Sequence, residues 1–192
     1  MNLSLISRID SFKNIISQSE FRNSDGALLD IEDSINSVSL KFAELKSVMG
    51  NLYVIGNGGS AAIASHAVTD FFNVGGLKAF TLHDGPILTC MTNDYGYEFA
   101  FARQLKQVLS SKDIVIAISS SGNSLNILNA AIASKEKGAF VITLSGFAFN
   151  NKLRGMGDIN IWINSSDYGF VEIGHQFILH NLADRLNINL RK

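Results

Sequence analysis

Leu5, Ile9, Phe12, Ile15 and Ile16 recur at three- and four-residue intervals, and Leu29, Ile31, Ile35, Val38, Leu40, Phe42 and Leu45 continue that habit. The first fifty residues therefore predict two helices, each with one apolar face that packs on the core or on another subunit. After Gly50 the period changes. Short apolar runs rich in β-branched and aromatic residues, "LYVIG" at 52–56, "KAFTL" at 78–82, "DIVIAIS" at 113–119, "FVITLSG" at 140–146 and "INIWIN" at 159–164, predict five strands. Helical patterns lie between them at 60–73, 86–110, 124–138 and 150–156, with a last helix over 168–190. Strands alternating with helices imply a parallel sheet covered on both faces. The expected fold is α/β, a three-layer doubly wound arrangement of a five-stranded parallel sheet with an N-terminal helical pair. The one proline, Pro86, falls at the start of a predicted helix, where its missing N–H costs nothing.

A chain of 192 residues, 46% hydrophobic, suits a single domain over 1–192. Residues 1–50 would serve packing or oligomerisation, and 51–192 would form the ligand-binding core. A net charge of −1 with interspersed acids and bases leaves no general basic field for nucleic acid or an anionic membrane, so any anion site must be local. The lone Cys90 excludes an intramolecular disulfide, and Arg8, Asp10 and Lys13 interrupt what would otherwise resemble a secretion signal. A cytoplasmic protein is expected.

Ligands of such sheets bind beyond the carboxyl ends of the strands, where loops lead into helix N-termini. Two loops qualify. In the first, "IGNGGSAA" carries the chain from a strand through Asn57, Gly58, Gly59 and Ser60 into a helix; in the second, "IAISSSGNSLNIL" does so through Ser119, Ser120, Ser121 and Ser124. Small residues admit a ligand close to the backbone, and the helix dipole favours negative charge there. Hydroxyls added to those N–H groups make a seat for a phosphate monoester. Neither the Walker pattern nor the dinucleotide glycine pattern is present, which disfavours a nucleoside triphosphate or NAD. The plainer alternative is that Ser124 caps a helix and the other serines fill a turn.

The motifs "GNGGS" at 56–60 with His66 following, "TNDYGYE" at 92–98, "ISSSGNS" at 118–124, "VITLSG" at 141–146 and "VEIGHQFILH" at 171–180 occur in this order along nearly the whole chain. On these residues the sequence resembles the phosphoheptose isomerases of the sugar-isomerase (SIS) superfamily. The resemblance implies a homotetramer converting D-sedoheptulose 7-phosphate to D-glycero-D-manno-heptose 7-phosphate for a surface polysaccharide. It further implies that Asn57, Gly58, Gly59, Ser60, Asn93, Asp94 and Glu172 contact the sugar, and that Ser119, Ser120, Ser121 and Ser124 hold its phosphate. A divalent metal, zinc by its donor set, would be held by His66, Asp70, Glu172 and His180.

Moving a proton between adjacent carbons through an enediol calls for a base, an acid and a means of stabilising the developing oxyanion. His66 and Asp70 stand four apart on one helical face. Such a pair also occurs as a surface contact without chemistry. Asp70 and His180 are the expected proton carriers. Two positions depart from the family: Asp70 stands where a Glu is usual and Glu172 where a Gln is usual. Glu172 and His180 are about 12 Å apart along a helix axis, near the limit of joint reach to one ion, so a neighbouring subunit could complete that site. His175 reads as a packing histidine. The alternatives are a non-catalytic SIS-domain adaptor or sugar-phosphate sensor, and an isomerase of another sugar phosphate.

Overall fold

The computed structural model describes residues 4–190. Its element order is α1 (Leu5–Ser17), β1 (Glu20–Asn23), β2 (Leu28–Leu29), α2 (Ile31–Ser47), β3 (Asn51–Ile55), α3 (Gly59–Asn73), β4 (Lys78–Thr81), α4 (Gly85–Tyr95), α5 (Ala100–Val108), β5 (Ile114–Ser119), α6 (Leu125–Glu136), β6 (Phe140–Ser145), β7 (Ile159–Trp162) and α7 (Tyr168–Leu190). One sheet runs in the order β2-β1-β7-β6-β5-β3-β4. The strands β3 to β7 are mutually parallel, and β1 runs antiparallel to both β7 and β2.

The alternation of side chains along each central strand builds two cores. Leu52, Val54, Ile114, Ile116, Ile142 and Leu144 face α2, α3 and α7, where Phe42 and Phe71 meet edge to face at 5.1 Å. Tyr53, Ile55, Val115, Ala117 and Val141 face α5 and α6 on the other side. Every residue of β5 is buried, as a strand covered on both faces requires.

The sheet has seven strands where five were expected. The five parallel ones coincide with the apolar runs, and the extra pair is a hairpin drawn from a segment whose Leu29 also fits helical spacing. Its turn closes where Asn23 Oδ1 accepts from the N–H groups of Asp25 and Ala27, with Gly26 at φ +79°. Strands of four and two residues are too short to display a period of their own, and Asp30, accepting from Asp33 N–H, starts α2 only after the hairpin ends. Two further boundaries differ. The helix expected over 86–110 is broken by Gly96 at φ +85°, with a 3-10 turn at Tyr97–Phe99 between α4 and α5. The helix expected at 150–156 is only the 3-10 turn Leu153–Gly155.

Candidate active site

β5 delivers the chain into the serine loop at Ser119, and Gly122 at φ +63° turns it back toward α6. No side chain replaces this glycine's hydrogen easily, because a Cβ there would fall on the Asn151 side chain. Asn151 in turn donates to Gly146 O at 3.1 Å and Ala148 O at 2.8 Å, which supports the loop from beneath. Ser124 stands at the N-cap of α6 in an extended conformation, yet its side chain caps nothing. Its hydroxyl instead lies 3.3 Å from Ser119 Oγ, which is 3.5 Å from Ser121 Oγ. Ser120 Oγ is buried with no partner. A cluster of hydroxyls, one of them unsatisfied, at an uncapped helix N-terminus has the donor capacity that an anion would use.

The serine loop and the glycine loop at the start of α3 border one cleft of about 250 Å³. Asn57, Gly58, Gly59, Ser60, Ser119, Ser120, Ser121, Ser124 and Glu172 all line it, together with Ile118 and Tyr168, which sequence reasoning did not single out. Among the described residues, no lysine or arginine contributes to the lining and Glu172 is its one carboxylate. The Glu172 carboxylate rests against Gly59, where any Cβ would collide with it. The absence of a side chain at Gly59 thus lets an acid from α7 reach the mouth of α3. Asn93 and Asp94 do not line this cleft. They lie exposed on α4, where Asn93 Nδ2 donates to Asp94 Oδ1 at 3.0 Å. The neighbouring Asp94 carboxylate also raises the Cys90 thiol above its ordinary pKa, which makes it a poor nucleophile.

A second group lies farther along the same helices, with both imidazoles about half exposed. Asp70 Oδ2 is 3.3 Å from His66 Nε2 and 3.3 Å from His180 Nδ1, and the two imidazoles approach at 3.0 Å between their Nε2 atoms. The possible ligand atoms of the three residues lie within 4.8 Å of one another. Asp70 Oδ2 is buried but has no aligned donor, so the contacts at 3.3 Å are not good hydrogen bonds. The two imidazoles share a hydrogen bond whose donor is set by the tautomer, the Asp70 oxygen beside them is unpartnered, and two imidazoles with a carboxylate are donors that zinc accepts. Glu172 does not join this group. Contacts between Gly59 and Glu172, His66 and His180, and Gly75 and Leu186 show that α3 and α7 run side by side in the same direction. Glu172 is level with the cleft, and the imidazoles lie about two helical turns, roughly 10 Å, farther along.

Histidines elsewhere support the scaffold. His175 is fully buried, with Nε2 3.1 Å from Ser145 O and Nδ1 unpartnered. Burial pushes its pKa down to about 4, outweighing the hydrogen bond to Ser145, so it is neutral at neutral pH. His83 follows β4 and stacks edge-on against Phe101 at 5.6 Å with its Nε2 buried and unpartnered; its pKa too is lowered by burial. No sequence pattern pointed to His83, because its neighbour across the sheet end is set only by strand order.

The SIS domain family model matches residues 24–146. A phosphoheptose isomerase of Leptospira biflexa serovar Patoc is 40% identical over 142 residues, covering 70% of this chain and 72% of that protein. One from Helicobacter hepaticus is 37% identical over 141 residues, covering 70% and 71%. The solved structure of a phosphoheptose isomerase from Francisella tularensis superposes with a TM-score of 0.82 at 26% identity, covering 98% of this chain and all of that one at 100%. The serine loop and the start of α3 lie inside the matched region, and the fold agrees throughout. The chain belongs to the SIS-domain family, among its phosphoheptose isomerases, and is an isomerase.

Proposed function

We propose that this isomerase converts D-sedoheptulose 7-phosphate to D-glycero-D-manno-heptose 7-phosphate. The observation that carries the reading is the cleft itself, where an uncapped helix start and four serines offer donors to a phosphate. A seven-carbon chain suits the distance from this mouth to the imidazole cluster, about 10 Å along α3, if the phosphate sits at the serines and the carbonyl end extends along the helix to the half-exposed imidazoles. The relatives' name agrees with that chain length.

In this reading a proton leaves C1 of the ketose, an enediol forms, and a proton is returned at C2 while the hydroxyl proton passes from O1 to O2. Asp70 and His180 are the carriers. His66, Asp70 and His180 would hold a divalent ion, zinc by its donor set, whose chemistry when bound is to polarise a carbonyl oxygen. Glu172 sits with the phosphate and sugar hydroxyls. Asn93 and Asp94 would meet the sugar only from a neighbouring copy. We further read 1–192 as one SIS domain acting in the cytoplasm as a homotetramer, with α1 in the contact: Leu5, Ile6 and Ile9 are exposed and none of that helix is buried within its own chain. The product would supply nucleotide-activated heptose for a lipopolysaccharide core or capsule.

The test is to incubate the purified protein with phosphorylated ketoses of five, six and seven carbons and follow the aldose product. The seven-carbon substrate should give the highest kcat/KM, and Asp70→Asn and His180→Ala should each lower kcat by at least about 100-fold with the fold intact. Equal turnover of all three sugars, or full activity of both variants, would overturn the assignment.

A further inference from the structure

Asn57 cannot offer its side chain freely to a substrate, because that amide is already engaged. Its Nδ2 donates to Asn126 Oδ1 at 2.9 Å, and its Oδ1 accepts from Asn126 Nδ2 at 2.8 Å and from Tyr97 OH at 2.7 Å. The two amides form a cyclic pair, and both lone pairs of Asn57 Oδ1 are used. One N–H of the Asn57 side chain is left. Asn126 is 3% exposed, so leaving its amide unmatched would be costly, whereas the Tyr97 bond lies open to solvent.

The three residues come from three separate segments. Asn57 belongs to the glycine loop after β3, Asn126 to the first turn of α6 behind the serine loop, and Tyr97 to the 3-10 turn that Gly96 introduces between α4 and α5. Asn129, one turn farther along α6, donates to Glu98 O at 2.8 Å and ties that 3-10 turn to the same helix. β3 and β5 are parallel neighbours, so their loops leave the sheet side by side. Backbone pairing between β3 and β5 fixes the strands but ends at Ile55 and Ala117. Beyond those residues, the Asn57–Asn126 amide pair ties the glycine loop to the start of α6.

We propose that Asn126 and Tyr97 are positioning residues that lock Asn57, and with it the glycine loop, at a fixed distance from the phosphate seat. The lock holds the sugar's reacting end in register with its anchored phosphate. Displacing reacting groups by even an ångström costs rate far more than it costs anchoring. As a statement about turnover this rests on the function proposed above; as a statement about loop geometry it does not.

Two variants and two readouts test it in the full-length protein. Asn126→Ala removes both amide–amide bonds, whereas Tyr97→Phe removes one bond from a half-exposed ring and should fold without difficulty. Hydrogen–deuterium exchange of the amides of residues 57–60 should rise about threefold in Tyr97→Phe and about tenfold or more in Asn126→Ala, with the β5 amides unchanged. With sedoheptulose 7-phosphate, kcat should fall about tenfold in Asn126→Ala while the Kd for inorganic phosphate changes less than about threefold. The double variant should be no slower than Asn126→Ala alone, since both act through one amide. Unchanged exchange at 57–60 would overturn the lock. Faster exchange with wild-type kcat, or phosphate affinity lost in step with kcat, would overturn the positioning role. Absence of turnover in the unaltered protein would instead count against the proposed function, and the exchange data would still decide the lock.

Discussion

Glu172 was expected at both the sugar and the metal, and it lines the cleft but stands apart from the His66, Asp70 and His180 group. Its carboxylate shares the cleft with the serine loop, so it opposes a bound phosphate by charge. Glu172→Gln should tighten binding of inorganic phosphate about fivefold, roughly 1 kcal/mol for like charges in a wet cleft; weaker binding on titration calorimetry would contradict this. His175 makes a second residue-level prediction. The fold holds it neutral, with a pKa about 4 against 6.5 when unperturbed. Its contribution is complete above pH 6.5 and is lost as pH falls toward 4, the loss by then being about 3 kcal/mol. Urea unfolding at pH 7 and pH 4 should show the acid loss shrinking in His175→Leu, and an undiminished loss would place the sensitivity elsewhere. The motifs were legible at this scale because loop chemistry is local: Ser119, Ser120, Ser121, Ser124 and Gly58 to Ser60 do line one cleft. The engagement of Asn57 was not, because Asn126 is 69 residues away and only folding brings it near.

The central elements were legible through their periods, since β5 and β6 are continuous apolar runs and α3 carries its buried residues on one face. The β1–β2 hairpin was not, because its pairing energy comes from β7 rather than from its own pattern. The parallel alignment of α3 and α7 separates Glu172 from the imidazoles, a fact that residue spacing on α7 alone leaves open. The turn into α6 depends on Gly122, whose φ of +63° and closeness to Asn151 leave no room for a side chain. Gly122→Ala should lower unfolding free energy by about 1–3 kcal/mol and weaken phosphate binding. Wild-type stability by thermal denaturation would show that the turn tolerates a Cβ.

For the whole molecule, the three-residue cluster predicts linkage between metal and stability. Zinc added at about 100 times its Kd should stabilise the protein by about 2.7 kcal/mol. Asp70→Asn should remove that rise in Tm and Glu172→Gln should keep it, because only Asp70 touches both imidazoles. A rise lost in Glu172→Gln would put that carboxylate on the ion. No described helix is long and apolar enough to cross a membrane. Leu5, Ile6 and Ile9 on α1 stay exposed, so the helix that the sequence assigned to packing has an apolar face uncovered within its own chain.

The most direct measurement is a crystal structure of the protein with sedoheptulose 7-phosphate bound. The phosphoryl group should lie among Ser119, Ser120, Ser121 and Ser124, with C1 and C2 turned toward Asp70 and His180. A phosphoryl group bound outside the serine loop, or a carbonyl end directed away from those two residues, would contradict the account.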